Sequence, residues 1–102
     1  MRQYDVYRNP GARTRKVMPF LLVLQSDVVA GTGSVVVAAL TAELKTAPSR
    51  LYPTFEIGGA TYTLLTPDLA SVPRLALVER VTSLEQDWSR ITAALDILFK
   101  GV

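Results

Sequence analysis

The sequence predicts a mainly β fold: a small twisted barrel or sheet pair of antiparallel strands, with one C-terminal α-helix packed against it. Three observations carry this. Short runs rich in Val, Ile, Tyr, Phe and Thr recur between turn residues, which is the composition of half-buried strands. Gly58 and Gly59 separate two such runs, and paired glycines take the positive φ angles of a tight hairpin. Only the last stretch changes to the spacing of four and three that marks a helix. Sequential strands followed by a single helix pack as two layers around one core.

Tyr4 to Tyr7 (YDVY) reads as the first strand, ended by the turn residues Asn9, Pro10 and Gly11. A basic loop follows. An apolar strand is expected over 18–26, and after Gly31 and Gly33 a second over 34–40, which holds Val35, Val36 and Val37. Residues 41–50 are small and polar with Pro48 among them, and read as irregular or a brief helical turn. Runs 51–57 and 60–65 form the glycine hairpin. Thr66, Pro67 and Asp68 are expected to break the strand, and Pro73 to stand at the start or edge of a last β segment over 75–81. Ser83 is expected to cap the helix, with Gln86 three residues on as in a capping box. Leu84, Trp88, Ile91, Leu95 and Leu98 make one apolar face, on which Trp88 is expected to be core rather than a ligand site. Gly101 is the natural stop.

With 102 residues and 49% hydrophobic content, the chain suits a single domain spanning 1–102. The net charge is +2, but Arg2, Arg8, Arg13, Arg15 and Lys16 face only Asp5 in the first sixteen residues. Such an edge suits an acidic protein segment or nucleic acid, although a solvated loop is the plainer reading. The longest apolar run, 17–24, contains Pro19 and falls short of the roughly 20 residues that span a bilayer. Arg2, Asp5 and Arg8 break up any signal-peptide core, so a cytoplasmic protein with no membrane partner is expected.

Cys and His are both absent, which removes thiolate chemistry, the usual general base and the commonest metal ligand. The remaining nucleophiles are lysine-assisted serines, and neither a GxSxG nor an SxxK string occurs. Gly31-Thr32-Gly33 lacks the third glycine and following helix of a nucleotide fingerprint and reads as a turn. Asp27, Glu43, Glu56, Asp68, Glu79, Glu85, Asp87 and Asp96 are scattered singly, so neither a metal nor a cofactor is expected. One catalytic possibility stays open: Arg15 with Asp27 or Asp68 acting on an RNA phosphate. The closing residues Ile97 to Val102 are apolar, where a polar tail is the default. They are expected either to pack into the core or to be held out for a partner, and the second reading is preferred.

The strings YDVY at 4–7, VLQSDVV at 23–29, Tyr52-Pro53, Ile57-Gly58, DLASVP at 68–73 and FKGV at 99–102 together resemble the CcdB family, the toxin half of toxin–antitoxin pairs. The resemblance covers nearly the whole chain. It implies a homodimer of SH3-like barrels, each with a C-terminal helix. Such a dimer binds the A subunit of DNA gyrase and traps it on cleaved DNA without catalysis or direct nucleic-acid contact. Gly101 and Val102 match the family's tail glycine and closing aliphatic residue, with Phe99 beside them, and Val28 and Val29 match an isoleucine pair on the same surface. Asp96 takes the place of an asparagine. Lys100 stands where a tryptophan stacks on a gyrase arginine, so this chain sets a cation against a cation.

The resemblance also implies a CcdA-like antitoxin whose disordered segment folds onto the toxin, and Arg8, Arg13 and Arg15 are the candidates to attract its acidic residues. Two other readings remain: a MazF-like endoribonuclease toxin on the same small barrel, and a nontoxic homologue that retains only antitoxin binding.

Overall fold

A strand sends successive side chains to opposite faces, and here both faces are apolar. Val6, Leu22, Leu24, Ala38 and Leu40 join one buried cluster, while their neighbours Tyr7, Leu21, Val23, Val37 and Ala39 join a second. The computed structural model describes residues 1–29, 31–43 and 47–102. Its strands are β1 (Asp5–Arg8), β2 (Phe20–Val23), β3 (Ser34–Thr41), β4 (Thr54–Ile57), β5 (Ala60–Pro73) and β6 (Arg80–Ser83), followed by the helix α1 (Trp88–Lys100). All neighbouring pairs are antiparallel, in the order β4-β5-β3-β2-β1-β6. The sheet curls into a nearly closed barrel, and the mainly β architecture with one C-terminal helix is as expected. Among the described residues, no helix is long and apolar enough to cross a membrane.

The β4–β5 hairpin closes as expected. Ile57 pairs with Ala60 across Gly58 and Gly59, whose φ angles of 61° and 85° fit a turn with two positive φ values. The expected break at Thr66, Pro67 and Asp68 does not occur, because β5 runs on to Pro73. Ala38 pairs with Leu69 and Ala39 with Leu65, so the three intervening residues bulge out of the ladder. The bulge takes Pro67, which lacks an N–H, out of register, and the buried Thr66 donates its hydroxyl to the Leu51 carbonyl at 2.6 Å.

Other boundaries move. Strand β2 is shorter than 18–26, and β4 begins only after Pro53. In place of a strand from Leu75, Arg74–Ala76 form a 3-10 turn and Leu77 drops into the second cluster, so β6 starts at Arg80. Residues 44–46 of the expected irregular segment lie outside the described residues.

The capping box is also corrected. The Ser83 hydroxyl accepts the Glu85 N–H at 3.2 Å and so serves a 3-10 turn, Glu85–Asp87, with α1 starting at Trp88. Three residues per turn instead of 3.6 shift the phase of everything that follows. Trp88 is consequently 57% exposed, not core, while Ile91 and Ala94 are fully buried and Leu95 packs on the first cluster. Arg90 fastens the helix to β4. Its guanidinium lies 4.6 Å from the Phe55 ring centre and donates to the Thr54 carbonyl at 2.6 Å.

Candidate functional site

At the C-terminal end of α1, as at Leu75 and Val78 before β6, apolar side chains leave the core. Ile97 and Leu98 are half-buried, whereas Phe99 is 68% and Val102 78% exposed. Gly101 ends the helix in the left-handed conformation, φ 77°, donating its N–H to the Ile97 carbonyl at 3.0 Å. Asp96 and Lys100, one turn apart, form an ion pair at 3.5 Å. The acid precedes the base, the better orientation on a helix. Asp96, Phe99, Lys100, Gly101 and Val102 thus lie in the last turn of α1 and just beyond it, with Phe99, Lys100, Gly101 and Val102 exposed.

Val28 and Val29 belong to a different element, a 3-10 turn at Asp27–Val29 between β2 and β3. Val28 is 93% exposed. No hydrogen bond or ion pair links this turn to the end of α1 among the described residues. The tie between them is the first cluster, which holds Leu24 just before the turn and Ile91 and Leu95 on the helix. Sequence reasoning gives Gln25 no role beyond its place in a string, yet this half-buried residue binds the Val29 carbonyl at the end of the turn and the Val36 N–H within β3.

Arg8, Arg13 and Arg15 are all exposed, and none has an ion-pair partner among the described residues. Arg8 closes β1, and Arg13 precedes the 3-10 turn Thr14–Lys16 that contains Arg15. Arg8 and Arg15 together line a hollow of about 240 Å³ with Asn9, Pro10, Ala76, Val78 and Glu79, which Arg13 does not line. Asn9, read in sequence only as part of a turn, organises the loop. Its buried amide donates to Thr14 Oγ1 at 3.0 Å and to the Met18 carbonyl at 2.8 Å, and accepts the Gly11 N–H at 2.9 Å. Asn9 also lines an apolar groove of about 440 Å³ over the second cluster, with Met18, Leu21, Val37 and Val72.

Among the described residues, no ion pair joins Arg15 to Asp27 or to Asp68. Asp27 accepts the Gln3 N–H at 2.7 Å and pairs with Arg2 at 3.6 Å, while Asp68 lines the apolar groove and Arg15 the hollow. Among the described residues, no group of three or more acidic side chains is placed to hold a metal ion.

The family model described as CcdB protein matches residues 3–101. No curated protein matches the sequence significantly. Among solved structures, an endoribonuclease in complex with its cognate antitoxin, from a mycobacterial species, is similar with a TM-score of 0.73. The two are 16% identical over 94% of this chain and 91% of that one. A second mycobacterial endoribonuclease is similar with a TM-score of 0.68 and 15% identity, over 94% and 88%. At those identities the likeness is one of fold.

Proposed function

This chain belongs to the CcdB family of toxins from toxin–antitoxin systems, and on that premise we propose that it binds the A subunit of DNA gyrase and poisons it without catalysis. The observation that carries the reading is the end of α1, where Phe99 and Val102 are held in solvent at 68% and 78% exposure. Large exposed apolar side chains gathered at one place favour a partner that buries them. Asp96, Lys100 and Gly101 complete that contact, and Val28 and Val29 supply a second. The working unit is a cytoplasmic homodimer of the single domain 1–102, which makes no direct contact with nucleic acid and needs no cofactor. A CcdA-like antitoxin neutralises it, its acidic segment drawn to Arg8, Arg13 and Arg15.

Titration of the purified gyrase A subunit tests this. The full chain binds, and removal of Lys100, Gly101 and Val102 abolishes binding while leaving the circular dichroism spectrum unchanged. Equal binding by the shortened chain contradicts the proposal.

A second reading, an endoribonuclease toxin, draws on the descriptions of the two fold neighbours and on the hollow that Arg8, Arg15 and Glu79 line together. Two guanidiniums and a carboxylate suit a phosphodiester. Fragmentation of RNA by the purified chain, lost on Arg15→Ala, favours that reading over gyrase binding.

A further inference from the structure

We infer that Gln25 is a positioning residue for the gyrase contact, tying the Asp27–Val29 turn to β3 so that Val28 is held out in a fixed place; this rests on the gyrase reading above. Strand β2 ends at Val23, and the Leu24 N–H makes the next bond across to β3, to the Val36 carbonyl at 3.0 Å. The main chain then departs into the 3-10 turn, and the Gln25 side chain continues the ladder in its place. Its Oε1 accepts the Val36 N–H at 3.2 Å, while Nε2 donates to the Val29 carbonyl and to Thr32 Oγ1, both at 2.8 Å. Thr32 passes its own proton to the Ser34 carbonyl at 2.7 Å. One primary amide thus uses both of its hydrogens and its oxygen to join the end of the turn, the following loop and β3.

Asp27 anchors the other side of the turn, through the Gln3 N–H at 2.7 Å and Arg2 at 3.6 Å. Between these two fixings stands Val28, 93% exposed. A solvated isopropyl group gains nothing from being held rigidly unless a partner buries it. A loop that samples other arrangements binds in proportion to the fraction of time spent in the competent one. The amide matters in full. A glutamate at 25 keeps an acceptor for the Val36 N–H but sets a carboxylate against the Val29 carbonyl, and a methionine keeps the length and loses all three bonds.

The test is a double-mutant cycle on gyrase A affinity, using Gln25→Glu, Gln25→Met, Val28→Ala and the combined variants. Each Gln25 variant weakens binding by about tenfold, the scale of one lost net hydrogen bond. In the Val28→Ala background the same variants add less than about twofold, because Gln25 acts through Val28. Thermal midpoints of all variants, read alongside, report any merely structural effect. Full additivity, or unchanged affinity on Gln25→Met in a chain that Val28→Ala does weaken, overturns the role of Gln25 alone. No effect of Val28→Ala overturns the gyrase contact of this turn as well.

Discussion

Lys100, which the resemblance to the family sets in the place of a tryptophan, is paired with Asp96 at 3.5 Å. An exposed pair of this kind contributes about 0.3–0.5 kcal/mol to the helix. On the proposed gyrase reading, it also softens the positive charge that the tip would set against an arginine there. Lys100→Trp restores a stacking face and is expected to tighten gyrase A binding by about thirtyfold, the equivalent of about 2 kcal/mol for an aromatic anchor. No gain in a calorimetric titration rules out stacking at this position. Asn9 sets a second residue-scale expectation. Asn9→Ala orphans Thr14, Met18 and Gly11 partners at once, and is expected to cost about 1–3 kcal/mol in denaturant unfolding with faster amide exchange over 10–18. Unchanged exchange there shows that the loop holds its shape without this amide.

At the scale of elements, α1 is positioned by which face it buries. Ile91→Ala is expected to destabilise by about 2–5 kcal/mol, the usual cost of truncating a fully buried aliphatic side chain. Trp88→Ala, at an exposed position, is expected to stay within about 1 kcal/mol. Thermal unfolding of the two variants checks the helix phase, and the reverse ranking contradicts it. That phase was not legible in sequence, because Leu84, Trp88 and Ile91 continue the pattern of one unbroken helix, while the 3-10 turn at Glu85–Asp87 resets it. The β4–β5 hairpin was legible, since Gly58 and Gly59 carry the turn themselves. The passage of β5 through Thr66, Pro67 and Asp68 was not, for it depends on a bulge opposite Ala38 and Ala39, well upstream in the chain. The candidate site divides the same way. The exposed tail was readable from its own residues, whereas the grip of Gln25 depends on where Val36 comes to lie.

At the scale of the molecule, the apolar tip of α1 and the cationic loop at 8–16 are separate features of one barrel. That arrangement suits the proposed reading, in which each feature meets its own partner. Loop charges steer association through long-range attraction that salt screens. Reversing Arg8, Arg13 and Arg15 to glutamate should therefore slow capture of the antitoxin's acidic segment in stopped-flow at low ionic strength, and much less at high. Equal slowing at every salt concentration argues against steering. The tip carries the central claim, that this barrel acts by wedging an apolar end into gyrase. The most direct measurement is the amount of cleaved DNA trapped by purified gyrase when the chain is added. The account predicts that trapped complexes accumulate with the full chain and vanish when Lys100, Gly101 and Val102 are removed; undiminished trapping by the shortened chain, or none by the full chain at concentrations that saturate gyrase A, contradicts it.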